Sequence, residues 1–130
     1  SCPRMTVVLD ASALLAVLLV EPGRENVEPH LMDAVISTVN LSEVFARALK
    51  AGVSSDDAQW IIEGFGLMTI SFSAEHAIET ALLLPVTRHL GLSLGDRACL
   101  ALARREGLPA LTADRQWEGL DVGVEIRLIR

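Results

Sequence analysis

Short apolar runs alternate along this chain with longer stretches whose apolar residues recur every three or four positions. The runs at 6–9, 34–38, 67–72 and 110–112 have strand length, and the first is β-branched enough to read as fully buried. The segment 124–129 alternates apolar and polar residues, as expected at a sheet edge. Helical spacing covers 11–19, 41–50, 56–64, 73–90 and 93–106, with a short helix at 24–33 and a turn at 114–118. Punctuation agrees with these limits. Glu21-Pro22-Gly23 ends the first helix, Gly52 the second, Gly91 the fourth, and Gly107 followed by Pro109 the fifth. Ser54 or Ser55 caps 56–64, Pro29 weakens 24–33, and Pro85 kinks or breaks 73–90. Strands alternating with helices imply right-handed crossovers and a mainly parallel sheet between helical layers. In such sheets ligands bind beyond the carboxyl ends of the strands.

Acidic residues stand at those ends or near the first turns of helices that can open onto the same crevice. Asp10 closes the first run, Glu43 follows the second, Asp96 opens the helix 93–106, and Asp114 follows 110–112. Each has an ordinary explanation. Asp10 and Asp114 can cap the segments they precede, Asp96 can offset the positive end of its helix, and Glu43 can complete a capping box with Asn40. Jointly they suggest something more, because carboxylates near a core cost free energy unless compensated. A divalent cation is the simplest shared compensator. Mg²⁺ and Mn²⁺ prefer carboxylate and water oxygens, and a pair about 4 Å apart stabilises both attacking and leaving oxygens in phosphodiester cleavage. Ser12 and Thr112, two residues from Asp10 and Asp114, can orient carboxylates or waters, or make local turn bonds instead. Glu43, Arg47 and Lys50 share a helix face, either as a phosphate track or as a solvated face with one ion pair.

Composition limits the alternatives. The 130 residues are 51% apolar and 22% charged, which suits one packed domain over 5–130, with 1–4 read as a tail or cloning remnant ahead of Met5. The net charge of −6 argues at first against nucleic acid. Two bound divalent ions would reduce it to about −2 and let Arg47, Arg97 and Arg115 serve as RNA-phosphate contacts. The cysteines, Cys2 and Cys99, form no metal or disulfide pattern, which points to a reducing cytosol. The early apolar run is broken by Asp10, so it is neither a signal peptide nor a membrane span. His30, His76 and His89 have no ligand spacing. Trp60, Ile61, Ile62 and Phe65 exceed what one core-facing helix stripe needs, and the excess suits an oligomer or partner surface.

Four segments together carry a family resemblance: Val8-Leu9-Asp10-Ala11-Ser12-Ala13, Ser42-Glu43-Val44, Leu92 through Ala98 with its Gly95-Asp96-Arg97, and Leu111 through Trp117 with its Thr112-Ala113-Asp114-Arg115. The chain resembles a PIN-domain ribonuclease, and more closely a VapC-type toxin of a type II toxin–antitoxin pair, over 5–130. The resemblance implies a three-layer α/β/α sandwich with a central five-stranded parallel sheet. It implies a Mg²⁺- or Mn²⁺-dependent endoribonuclease with Asp10, Asp96 and Asp114 as metal ligands. Glu43 becomes a ligand directly or through water, with Ser12 and Thr112 in support. It also implies a homodimer and a small antitoxin that blocks the site. The alternative is a PIN-fold module that binds a protein or RNA without cleaving it. Other phosphoryl-transfer folds fit less well. A receiver domain wants a lysine after a late strand, and a dehalogenase-type phosphatase wants an acid where Ser12 stands. A flap nuclease needs a longer chain, and an RNase H-type fold opens with an antiparallel meander.

Overall fold

The computed structural model describes residues 4–130. Its centre is β1 (Val7–Leu9), flanked in parallel by β2 (Ala34–Ser37) and β4 (Ala110–Thr112). The edges are β3 (Met68–Ile70) and β5 (Ile126–Leu128), giving a five-stranded parallel sheet of order β3-β2-β1-β4-β5. Val8 pairs with Val35 on one side and Ala110 on the other.

Successive strand residues face opposite ways, so one strand feeds two cores. Val7, Leu9, Ala34, Ile36 and Leu111 join one apolar cluster. It includes Leu14 of α1 (Ala11–Leu18), Val44 of α2 (Thr38–Lys50) and Ile62 of α3 (Ser55–Phe65). Val8, Val35 and Ala110 join the other. There they meet Leu83, which follows α4 (Ala74–Leu82), and Cys99, Leu100 and Leu102 of α6 (Leu94–Glu106), together with Trp117. This is the three-layer α/β/α arrangement expected from the alternation of elements. With few aromatics available, Leu, Val, Ile and Ala fill both layers, and Trp117 is the largest fully buried side chain.

Two local readings are corrected, those of α2 and of 24–33, and the break expected near Pro85 is observed. Helix α2 begins at Thr38 instead of 41, directly off β2, because Ser37 accepts the Val39 N–H at 3.2 Å and acts as the cap. Asn40 is therefore inside the helix and cannot be its N-cap. The segment 73–90 is broken into α4, the short α5 (Leu84–Thr87) and a 3-10 turn over Arg88–Leu90. Pro85 lies in the first turn of α5, where its missing N–H costs nothing. The segment 24–33 is two 3-10 turns, Arg24–Asn26 and Glu28–Asp33, with Pro29 opening the second. Of the tail expected at 1–4, residues 1–3, including Cys2, lie outside the described residues, and Arg4 is exposed.

One backbone position is strained. Val20, just beyond α1, has φ +56° and an exposed side chain. β-Branched residues are disfavoured there, whereas asparagine tolerates the left-handed region. Val20→Asn is expected to stabilise the protein by about 1 kcal/mol, read as a higher urea midpoint at constant slope. An unchanged or lower midpoint would show that the strain is relieved some other way.

Candidate active site

The strand order reverses direction between β1 and β4, and that junction is where a parallel sheet opens a crevice. Asp10 leaves β1 there and Asp114 leaves β4. Asp10 caps α1, its Oδ1 accepting the Ala13 N–H at 2.9 Å. Two hydroxyls hold the same carboxylate: Ser12 Oγ donates to Oδ1 at 2.7 Å and Thr112 Oγ1 to Oδ2 at 2.5 Å. Each hydroxyl also accepts a backbone N–H, Ser12 from Ala113 and Thr112 from Asp114. Their protons are thereby directed onto Asp10. This network ties the end of β4 to the end of β1 and orients the buried acid.

Burial dominates the electrostatics of Asp10. Desolvation raises its pKa to about 6, the bonds from Thr112, Ser12 and Ala13 oppose the rise, and the charge of Asp96 adds to it. Cys99 lies buried within the field of Asp10, Asp96 and Glu43. Burial first, then those charges, push its thiol well above the usual range, so it is a packing residue and not a nucleophile.

The other acids sit within helices or at the start of one. Asp96 forms a reciprocal capping box with Ser93: its Oδ2 accepts the Ser93 N–H at 3.0 Å and its own N–H donates to Ser93 Oγ at 3.1 Å. Asp114 caps the 3-10 turn Arg115–Trp117 through Oδ1 and the Gln116 N–H. Glu43 Oε1 accepts from Asn40 Nδ2 at 3.0 Å. The capping explanations for Asp10 and Asp114 are therefore realised, Asp96 lies in the first turn of its helix as expected and adds a capping bond, and none of this excludes a shared site. Each of Asp96, Asp114 and Glu43 uses one oxygen in a protein bond, which fixes the carboxylate and leaves the second oxygen available. All four acids line one cavity of about 290 Å³, with Ser12, Asn40 and Arg47 in its wall.

The three arginines proposed for RNA separate. Arg47 lines the cavity. Arg97 turns toward α4 and donates to the Thr80 carbonyl at 3.1 Å, and Arg115 donates to the Arg130 carbonyl at 2.9 Å. Adjacent helix residues point about 100° apart, so being next to Asp96 carries Arg97 away from the crevice. Sequence reasoning missed two site residues. In the sequence Asn40 reads only as a cap, and Gly95 only as part of a motif. Asn40 is 1% exposed and its Nδ2 bridges Glu43 to the Gly95 carbonyl, the latter at 2.9 Å. A Cβ on Gly95 would fall on the Glu43 carboxylate. The only sequence signal was a flexible residue at the start of a helix, where glycine is not favoured.

The residues suit a hard divalent cation. The donors are carboxylate oxygens, and the burial cost of Asp10 is of the kind a cation offsets. Among the described residues, no three His, Cys, Asp or Glu side chains are close enough to cage one ion directly. Mg²⁺ sites do not require such a cage, since the ion keeps several waters and takes one or two carboxylates directly. The cavity thus fits a hydrated ion held partly through water.

Fold and crevice define an α/β protein with an acidic centre at the switch point of a parallel sheet. A sequence profile of the PIN domain matches residues 7–123, and the chain belongs to that family. No curated protein sequence matches it. Solved structures share its fold. DNA-bound VapBC from Salmonella typhimurium superposes with a TM-score of 0.74 at 21% identity, covering 98% of this chain and 100% of that one. A toxin–antitoxin complex from Klebsiella pneumoniae gives 0.75 at 18%, covering 96% and 98%. VapC20 of Mycobacterium tuberculosis, described as a sarcin–ricin loop cleaving toxin, gives 0.72 at 14%, covering 92% and 99%.

Proposed function

We propose that this protein is a Mg²⁺- or Mn²⁺-dependent endoribonuclease and the toxic member of a toxin–antitoxin pair. The observation that carries the reading is the meeting of Asp10, Glu43, Asp96 and Asp114 in one cavity at the carboxyl edge of the sheet. Asp10, Asp96 and Asp114 would hold the cation, with Glu43 a ligand directly or through water. A cation there would supply charge stabilisation to the phosphodiester and lower the pKa of a water. Ser12 and Thr112 keep Asp10 fixed in orientation. Arg47, at the rim, suits a phosphate of the RNA. The domain is taken to be single over 5–130.

The partner reading rests on two supports. The similar structure from Klebsiella is described as a toxin–antitoxin complex, and that from Salmonella as VapBC bound to DNA. On this chain Trp60 is 78% exposed, and a groove of about 550 Å³ is lined by Leu41, Phe45, Ile62 and Leu67 together with Ser55, Gln59, Glu63 and Thr69. An antitoxin segment covering this region and extending a cationic side chain into the crevice would compensate the acids as the metal does. The dimer is proposed on the same footing. No helix among the described residues is long and apolar enough to cross a membrane.

Sequencing RNA ends after brief expression in cells tests the function. Discrete new ends with the wild type and none with Asp96→Asn are expected. Identical RNA profiles, with metal still bound, would favour the non-cleaving module. Saturating Mn²⁺ should also raise the melting temperature of the wild type more than that of Asp96→Asn, because a ligand stabilises the state that binds it.

A further inference from the structure

Asn40 is the least exposed polar side chain in the cavity wall, and ordinary stability does not account for it. Its Nδ2 faces two acceptors, Glu43 Oε1 at 3.0 Å and the Gly95 carbonyl at 2.9 Å. Those partners fix which end of the amide is nitrogen, since the reversed amide would set oxygen against oxygen. Its Oδ1 is buried and meets no donor among the described residues. A buried acceptor without a donor is a cost to the fold. Across from it, Gly95 lies in the first turn of α6, where alanine would be the better helix former. Any Cβ at that position would collide with the Glu43 carboxylate. Two positions that each forgo stability therefore converge on one side chain. Asn40 grips the Glu43 carboxylate and the α6 backbone beside Asp96, and Gly95 leaves the space in which that carboxylate lies.

We infer that Asn40 and Gly95 are positioning residues, which act through Glu43 to set its carboxylate against Asp96 for cation binding. This rests on the metal reading above. The residues join α2 to α6 across 55 positions of sequence, so the distance between two of the four acids is set by one amide and one missing methyl group. Neither residue needs to touch the substrate or the ion.

The test is Mn²⁺ titration of the metal-free protein by calorimetry, with melting temperatures of the same samples. Asn40→Leu removes the grip along with the unpaired oxygen, and Gly95→Ala fills the space. Each is expected to weaken Mn²⁺ binding by roughly ten-fold or more, as loss of a ligand's supporting partner does. The metal-free melting temperature should hold or rise in both. In a Glu43→Gln background, Asn40→Leu should add little further loss, because its effect passes through Glu43. A lower melting temperature with unchanged Mn²⁺ affinity in either variant would show a purely structural role and overturn the inference. Additive losses with Glu43→Gln would overturn the route through Glu43. If the wild type itself bound no Mn²⁺, the metal reading would fail first, and this inference with it. Gly95→Ala keeps the question decidable if Asn40→Leu does not fold.

Discussion

Asp96→Asn is expected to reduce RNA cleavage by roughly 100-fold or more, while the metal-free protein melts within a few degrees of the wild type. The observed capping role and the proposed ligand role of this residue make different demands. As a cap, Asp96 needs only an acceptor for the Ser93 N–H, and asparagine supplies one. As a cation ligand it needs charge, which asparagine lacks. Removing one of four clustered carboxylates also relieves repulsion in the absence of metal. Asp96→Ala would lose the cap as well, at about 1 kcal/mol. Cleavage rates with Mn²⁺ and thermal melts in chelator measure both. An Asp96→Asn protein that cleaves normally, or one that melts far below the wild type, would return Asp96 to the role of a helix cap.

The second large effect concerns stability and pH. The Asp10 pKa is raised to about 6 in the fold, from an ordinary value of 3.8. The fold therefore favours the protonated acid. That preference stabilises the protein fully below about pH 4 and is lost as pH rises through about 6. The difference amounts to about 3 kcal/mol. In chelator, urea unfolding should show Asp10→Asn more stable than the wild type at pH 7.5 by up to that amount, less any cost of rearranging the Thr112 hydroxyl. Near pH 4 the advantage should vanish. Adding Mn²⁺ at pH 7.5 should narrow or reverse the difference, since the cation stabilises only a carboxylate. Equal stability of the two proteins at both pH values would mean that Asp10 titrates normally and carries no burial cost.

Much of the framework was legible because it depends on local pattern. The strand Ala110–Thr112 was read to the residue, and β1 to within one, since short apolar runs between glycine, proline and acidic breaks leave few other choices. Helix α2 was started too late because no loop separates it from β2: Ser37 ends one element and caps the next. The long helix at 73–90 was divided by Pro85, as its missing N–H foretold, although only the structure shows the break at Leu83. Asp10 and Asp114 were legible by their positions after strands, and Glu43 and Asp96 by their positions near helix starts; the sheet order explains why such positions converge. Asn40 and Gly95 were not legible, because their meaning lies in contacts between distant helices. Two of the three arginines point elsewhere for the opposite reason. Arg97 and Arg115 are near the acids in sequence, but helix geometry and the chain terminus take their guanidinium groups elsewhere.

The central claim is that the four carboxylates together hold a divalent cation. A crystal grown with Mn²⁺ and measured for anomalous scattering tests it most directly. A strong peak is expected in the crevice, about 2.2 Å from oxygens of at least two of Asp10, Asp96 and Asp114, with Glu43 bound directly or through one water. The peak should be lost in Asp96→Asn. A crevice without a peak at millimolar Mn²⁺, or a peak held elsewhere on the protein, would contradict it.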